Sequence, residues 1–181
     1  MQCPAPGIAI RRLDGADASD YRTIRLAALH GSPEAFGSTY AIEAERPLSA
    51  FVERLASSVV FGAYAGQDIV GMAAFQQNSG ERKRHKGFIW GLYVRPAARR
   101  SGIASALLEA LVRSADSVVE TLTLTVVQSN DAAQALYRTL GFRIYGVEPR
   151  ALRSATGYVD EVLMVRLALH VADQLSSSES Q

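Results

Sequence analysis

The 181-residue sequence predicts a mixed α/β fold in which a single central mixed sheet is flanked by helices. Three observations predict it. Strand-like and helix-like segments alternate along the chain, apolar residues in the helix-like segments recur every three or four positions, and Gly or Pro marks many boundaries. Because the length suits one domain with a buried core, we expect a single domain over residues 1–170 and a disordered tail over residues 171–181.

The first half of the chain is predicted to contain one strand, two helices and three further strands. The first strand alternates apolar and basic residues, and the first helix has Tyr21, Ile24 and Ala28 at helical spacing. Gly66-Gln67-Asp68 is predicted to be a hairpin loop, and we expect the last three strands to form an antiparallel meander. The predicted elements are strand Ile8–Leu13, helices Asp17–Leu29 and Leu48–Leu55, and strands Val59–Ala65, Ile69–Gln76 and Phe88–Val94.

The second half is predicted to contain two helices and three strands. A polar and basic loop, Asn78–Gly87, precedes the last strand of the first half. After Pro96, apolar residues recur every four positions from Ile103 to Ala115, which indicates a helix. The remaining predicted elements are strand Thr121–Val127, helix Ala132–Leu140, and strands Phe142–Tyr145 and Tyr158–Leu167.

Composition restricts the classes of partner and compartment. Lys and Arg number 19 against 18 Asp and Glu, so nothing suggests a general field for nucleic acid or membranes. Cys3 is the single cysteine, which excludes an intrachain disulfide and favours a reducing compartment. The sequence shows neither a signal-peptide pattern nor a run of about 18 apolar residues. We therefore expect a cytoplasmic protein without nucleic-acid or membrane partners.

The most informative segment is a strand, a short loop and a helix over residues 91–105. The loop holds Arg99, Arg100, Ser101 and Gly102, and the helix follows at once. Because the first N–H groups of a helix have no internal partner, this arrangement suits a pyrophosphate, to which the arginines can add charge-assisted bonds. The alternative is a simple turn with solvated arginines. The sequence contains neither a Walker loop nor G-x-G-x-x-G, which disfavours ordinary nucleotide sites.

A second pattern lies on the helix after the next strand. Asn130, Ala133 and Tyr137 are three and four residues apart, so they share one helical stripe about 10 Å long. A polar start, a small middle and a terminal phenol suit a long, thin ligand. Two plainer interpretations stay open, since Asn130 can be a helix N-cap and Tyr137 can be a core tyrosine.

The two segments together resemble the GNAT superfamily of N-acetyltransferases. Arg99-x-x-Gly102-x-Ala104 matches the family's [QR]-x-x-G-x-[GA] signature, and the segment from Asn130 to Phe142 resembles its N-x-x-A-x-x-x-Y…G-F pattern. The resemblance covers about Ile8 to Leu167 and implies a GNAT fold with acetyl-CoA as co-substrate. It assigns catalysis to Tyr137, as acid for the leaving thiolate. The cofactor-binding residues that it implies are Leu92, Tyr93, Val94, Arg99, Arg100, Ser101, Gly102, Ile103, Ala104, Ser105, Asn130, Ala133 and Tyr137.

The general base is left open. The family often has a Glu on the strand before the phosphate turn, whereas Phe88–Val94 contains no acid. We expect direct attack by a neutral amine without a covalent intermediate, with a backbone N–H of Leu92–Val94 as oxyanion donor. A water chain can replace the base. The candidate side chains are Glu34, Glu43, Glu45, Asp160, Glu161 and, least favoured, His85.

The acceptor is predicted less closely than the cofactor. By resemblance, the segment Gly31–Tyr40 shapes the acceptor pocket, and an acidic and aromatic set would suit an organic cation. A packed interhelical loop is the equal alternative. We expect a small-molecule amine, with a protein acceptor or a non-catalytic acyl-CoA sensor as alternatives. We expect no metal, and the sequence leaves the oligomeric state open, with a homodimer among the alternatives. The acceptor-side residues are Glu34, Phe36, Tyr40 and Trp90.

Overall fold

The computed structural model describes residues 7–154 and 157–168, in which seven strands form one mixed sheet. The strand order is β1-β2-β3-β4-β5-β7-β6. This confirms the predicted fold class of a single mixed sheet with helices. The predicted tail lies outside the described residues. The strands are β1 Ile8–Arg12, β2 Val59–Ala65, β3 Asp68–Gln77, β4 Lys86–Val94, β5 Thr121–Val127, β6 Arg143–Ser154 and β7 Gly157–Leu167.

Five α-helices accompany the sheet in the part of the chain that the structure describes. The prediction omitted α2, a single turn whose N-cap Thr39 accepts a hydrogen bond from the Ile42 N–H. Its five residues are too few to show helical periodicity. Within residues 7–154 and 157–168, no helix combines the length and apolar character needed to cross a membrane. The helices are α1 Ala18–Gly31, α2 Tyr40–Ala44, α3 Leu48–Ser57, α4 Ile103–Asp116 and α5 Asp131–Thr139.

The contacts divide the described chain into two compact units. The first unit comprises residues 7–76 and 90–111, and the second comprises residues 77–89, 112–154 and 157–168. The single domain expected over residues 1–170 stays a prediction.

The first unit has its own apolar core. Apolar side chains of α1 and α3 pack on the same core as residues of β2, β3 and β4. The strands β1 and β2 pair antiparallel, as do β2 and β3, which are joined by a two-residue turn at Gly66. The buried members are Leu13, Ala18, Tyr21, Ile24, Ala28, Phe51, Leu55, Val60, Tyr64, Ile69, Met72, Ala74 and Tyr93.

The second unit is built around β5 and β7. The start of β4 pairs parallel with β5 over Lys86–Phe88, and β5 pairs antiparallel with β7. Arg166 on β7 is 7% exposed and fixes two helix ends. Its Nη2 donates to Asp116 at the end of α4 (2.9 Å), and its Nε donates to the Leu140 carbonyl after α5 (2.9 Å).

The strand β6 is much longer than predicted. The prediction gave Phe142–Tyr145, whereas β6 continues through Pro149 and several charged residues to Ser154. β6 is the last strand in the sheet order, where proline is tolerated. The register is irregular between Glu148 and Leu152, and Arg150 adopts a left-handed φ of 55° there. A bulge in a strand at the edge of the sheet therefore accommodates Pro149 within β6.

Candidate functional site

The strand β4 contains a residue with an unusual backbone conformation, Gly91. Gly91 has a φ of +71°, in the left-handed region that other residues rarely adopt. An isolated residue of this kind inside a strand is typical of a β-bulge, which interrupts regular pairing. The left-handed residue therefore lies directly before the predicted oxyanion donors of Leu92–Val94.

The turn after β4 exposes the start of a helix. Arg100 and Gly102 have φ values of +63° and +78°, and Ser101 Oγ donates to the Ala98 carbonyl at 2.6 Å. The Gly102 carbonyl accepts the N–H of Ala106 at 3.0 Å, so α4 starts directly after Gly102. The N–H groups of the residues that follow Gly102 have no partner within the helix. The turn thus presents backbone donors at the positive end of a fourteen-residue helix.

The three arginines of this turn are held differently. Arg95 Nε donates to the Ile69 carbonyl and Arg99 Nε donates to the Val94 carbonyl, each at 3.0 Å. Arg100 is exposed, and its side chain has no hydrogen bond or ion pair to any described residue. The guanidinium of Arg100 is consequently the most available charge in the turn.

Several predicted cofactor residues can offer only their backbone. Tyr93 and Ile103 are 7% and 2% exposed, and Tyr93 belongs to the core of the first unit. Val94 is 8% exposed. Ser105 and Ala104 are half-buried, and Ser105 Oγ donates to Glu109 at 3.1 Å. The turn is therefore a backbone site supplemented by arginine.

In the second unit, Asn130 caps the helix α5. Its Oδ1 accepts the N–H of Ala133 at 3.1 Å, and its own carbonyl accepts the N–H of Gln134. The side chain is exposed, so its amide nitrogen stays available. The capping interpretation and the binding interpretation are therefore compatible.

Tyr137 lies at the far end of the same helix. It is 7% exposed and packs edge-to-face against Phe142 with ring centroids 5.9 Å apart. Burial raises the pKa of its phenol. Among the described residues, no group accepts or donates a hydrogen bond at its hydroxyl. A phenol that keeps its proton at neutral pH can act as an acid.

The proposed bases have distinct environments. Burial raises the pKa of Glu161, as does the neighbouring Glu148, while a hydrogen bond from Thr125 lowers it. Burial would also raise the pKa of Glu43, but hydrogen bonding and charge from arginines outweigh that effect and lower it. Asp160 Oδ1 accepts the Arg150 N–H at 2.7 Å and thereby stabilises the β6 bulge.

The other acids and the histidine are peripheral. Glu34 and Glu45 are exposed. His85 lines a groove of about 580 Å³ in the second unit, together with Gln77, Arg84 and residues 116–120. The groove shares no residue with the cofactor pattern. Within the described ranges, no three His, Cys, Asp or Glu side chains form a group that could hold a metal ion.

The predicted acceptor-side residues separate into two pairs. Phe36 and Trp90 both contact the Arg25 guanidinium, whose carbon lies 5.2 Å and 5.6 Å from their ring centroids. Tyr40 is 47% exposed and packs against His30, and Glu34 lies at the surface. The structure therefore places the protein's own cation against the aromatic rings that were expected to receive an organic cation.

Sequence reasoning named Glu43, Phe36 and Trp90 but missed Arg25, which contacts all three. Arg25 lies four residues after Tyr21 and three before Ala28, on the buried stripe of α1. A charged residue on an apolar stripe was the available signal. The isolated Gly91 inside a strand pattern was a second signal, because such a glycine often marks an unusual backbone conformation.

Comparison with known proteins gives the family directly. Residues 25–142 match the model of the Acetyltransferase (GNAT) family. A curated relative, the L-amino acid N-acetyltransferase AaaT of Escherichia coli K12, is 30% identical over 159 residues, covering 84% of this chain and 94% of that protein.

Solved structures agree on the fold. The structure of yncA from Salmonella typhimurium with its cofactor acetyl-CoA is 21% identical, with a TM-score of 0.77 over 89% of this chain and 94% of that one. The ribosomal-protein-alanine N-acetyltransferase of Brucella melitensis is 25% identical, with a TM-score of 0.72 over 88% and 99% of the two chains. Since the family model matches well over half of its residues, the chain belongs to the acetyltransferase (GNAT) family and is an acetyltransferase.

Proposed function

We propose that this acetyltransferase moves the acetyl group of acetyl-CoA to the primary amine of a small molecule by direct attack. The observation that carries the proposal is the turn from Arg100 to Ser105. Two left-handed residues and a helix start there present free backbone N–H groups beside an exposed guanidinium. Backbone donors at a helix start bind phosphate oxygens, and acetyl-CoA supplies a pyrophosphate together with an acetyl thioester.

The cofactor proposal assigns separate roles to the turn and to α5. The N–H groups of residues 100–105 bind the pyrophosphate, and Arg100 adds charge toward a nucleotide phosphate. Asn130 offers its amide nitrogen to the pantetheine arm, and the small Ala133 leaves room along the stripe. This division is supported by the family membership and by the exposure of Asn130 and Arg100.

The chemistry needs a donor for the oxyanion and a proton for the thiolate. A backbone N–H of Leu92–Val94, directly after the left-handed Gly91, stabilises the developing oxyanion. Tyr137 donates its phenolic proton to the departing sulfur, a role supported by its place on the α5 stripe and by the family resemblance rather than by its pKa. The base that takes the proton of the attacking amine stays open among the acids named above, His85 and a water chain. The amine nitrogen forms the new bond to the acetyl carbon as the carbon–sulfur bond breaks.

The acceptor class is supported by the relatives. AaaT is named as an L-amino acid N-acetyltransferase, which favours a small amine. The Brucella melitensis structure is a ribosomal-protein-alanine N-acetyltransferase, so a protein N-terminus is the second candidate. Cytoplasmic location stays a prediction from the sequence, and a homodimer stays one alternative for the oligomeric state.

The test incubates the purified protein with acetyl-CoA and a panel of small amines, peptides and buffer alone. Release of free thiol is followed, and acetylated products are identified by mass spectrometry. We expect thiol release that depends on a small amine and a product heavier by one acetyl group. Acetylation of peptides alone would favour the second candidate. Tight CoA binding without acetylation of any amine would instead indicate a sensor.

A further inference from the structure

A buried arginine in the first unit has donors without partners. Arg25 is 6% exposed, and its Nε and Nη1 are buried with no hydrogen-bond acceptor among the described residues. Leaving a buried charged donor unpaired is costly, so such a group normally has a partner. Arg22, one turn away, also has a buried Nε without a partner, but its Nη2 donates to the Ala44 carbonyl at 2.9 Å.

The one nearby carboxylate does not satisfy Arg25. Glu43 is shared by three guanidinium groups, and its Oε2 lies 3.0 Å from Arg54 Nη1. Its Oε1 lies 3.5 Å from Arg25 Nη2, which is long for a charge-assisted hydrogen bond. Arg46 approaches Glu43 to 4.0 Å from the exposed side. Three positive charges face one negative charge, so the cluster can accept a further anion.

The cluster lies beside the reactive part of β4. A Cβ built at Gly91 would be 4.0 Å from Arg25 Nη1. Gly91 directly precedes Leu92–Val94, where the proposed oxyanion donors lie. Phe36 and Trp90 contact the same guanidinium and restrict its orientation. Arg25 therefore presents an unpaired donor next to the place where the proposed acceptor amine must attack.

We propose that Arg25 Nη1 binds the carboxylate of the acceptor, so that the acceptor is an amino acid acetylated at its α-amine. This rests on the proposed function, because it fixes the substrate class of that same site. A carboxylate is a planar anion that suits a guanidinium. In an α-amino acid the carboxylate and amine are attached to one carbon, so an anchor beside Gly91 places the amine beside the thioester. Arg25 is thus a specificity-determining residue.

The wild-type enzyme provides the first test. Each amino acid that is acetylated is compared with its own carboxamide, which keeps the amine and side chain but lacks the charge. We expect kcat/KM to be about 10²-fold higher for the acid, the loss typical of leaving a buried charge without its partner. The amide has the less basic amine, so more of it is neutral at a given pH. Amine availability therefore cannot produce this preference.

The variants Arg25→Gln and Arg25→Lys supply the second test. Arg25→Gln should lower kcat/KM for the acid by about 10²-fold and leave the value for the amide nearly unchanged. Arg25→Lys should restore part of the preference because it keeps the charge. The matched control Arg46→Gln removes an exposed charge from the same cluster and should keep the wild-type preference.

The outcomes separate this inference from the proposed function. If no amine is acetylated although CoA binds, both fail. If amines are acetylated with equal kcat/KM for acid and amide, the carboxylate site is overturned and the proposed function stands. If Arg25→Gln lowers both values equally, Arg25 is structural and the inference is likewise overturned. Should that variant not fold, the wild-type ratio of acid to amide decides alone.

Discussion

Two charged regions of the first unit differ in how the chain builds them. The turn from Arg99 to Ser105 is made of seven consecutive residues at one helix start. The arginine cluster brings together Arg25 from α1, Glu43 from α2 and Arg54 from α3. The turn exposes backbone donors to solvent, whereas the cluster keeps its charges buried or half-buried.

The difference decides what each region can recognise and how visible it is in a sequence. A local turn is specified by backbone conformation, so a short motif with one essential glycine describes it. The cluster is specified by packing of distant segments, so its members have no fixed spacing. In the proposed function, a turn of this kind binds the acetyl-CoA that the family shares. The cluster, in contrast, selects the acceptor of this particular protein.

The largest effect is expected from Gly102→Glu in the turn. The substitution forces a side chain into a φ of +78° and adds a negative charge at the proposed pyrophosphate position. The conformational cost of about 1–2 kcal/mol lowers the stability of the fold with or without CoA. The like-charge contact with the pyrophosphate costs several kcal/mol of binding free energy, so CoA affinity should fall about 10³-fold. Calorimetric titration with CoA measures the loss.

Gly66→Glu is the matched control for this experiment. Gly66 has a similar φ of +62° in the β2–β3 turn, with no atom near a built Cβ. The variant introduces the same backbone strain and the same charge at a position far from the motif in the sequence. The CoA affinity of Gly66→Glu should therefore stay at the wild-type value. Equal losses of CoA affinity in both variants would show that a strained, charged side chain explains the effect wherever it lies. That result would contradict the binding of pyrophosphate by the turn.

An intermediate effect is expected from Glu43→Gln in the cluster. The change leaves buried guanidinium groups without their counter-charge, which should lower the free energy of unfolding by about 3 kcal/mol. Because folding lowers the pKa of Glu43, its contribution is present above the unfolded pKa and lost as pH falls through the folded pKa. Urea unfolding between pH 7 and pH 3 measures the loss of unfolding free energy and its dependence on pH.

The matched control is Glu45→Gln, two residues further on and exposed. It should change the free energy of unfolding by less than about 0.5 kcal/mol at any pH. The difference in free energy of unfolding between wild type and Glu43→Gln should become smaller toward acid pH. A gap that is constant or that widens toward acid pH would contradict the assignment of Glu43 as the buried anion of the cluster.

The smallest effect is expected from Tyr137→Phe in the second unit. Removing the hydroxyl should lower kcat by about 10²-fold, at the lower end for a positioned acid, because a thiolate leaves readily. CoA affinity should change little, since the ring keeps its contact with Phe142. Single-turnover kinetics with any acceptor identified in the amine panel measure the chemical step.

Tyr145→Phe is the control, because Tyr145 is 58% exposed on β6 in the same unit. Its kcat should match the wild type. An unchanged kcat in Tyr137→Phe, under conditions where chemistry limits turnover, would make Tyr137 a packing residue. The proposed site would then have no assigned acid. The comparison between the turn and the cluster would concern the binding of CoA and of the acceptor alone.

Most of the fold could be predicted because its elements are locally specified. The strands β2 and β5 have the predicted bounds, since alternating or β-branched residues and a turn define each end. The prediction failed where context decides. Pro149 is compatible with a strand only at a sheet edge with a bulge, and neither condition is visible in the sequence.

The sequence by itself determined the family, the mixed sheet and the backbone turn from Arg99 to Ser105, because periodicity and a left-handed glycine act over short segments. Only the tertiary structure decided that Arg25, Glu43 and Arg54 meet and that Arg25 lies beside Gly91. These three residues lie on separate helices, and their charges interact only after the apolar core has brought the helices together. The proposed selection of the acceptor, unlike the proposed binding of the cofactor, therefore depends on long-range packing in this protein.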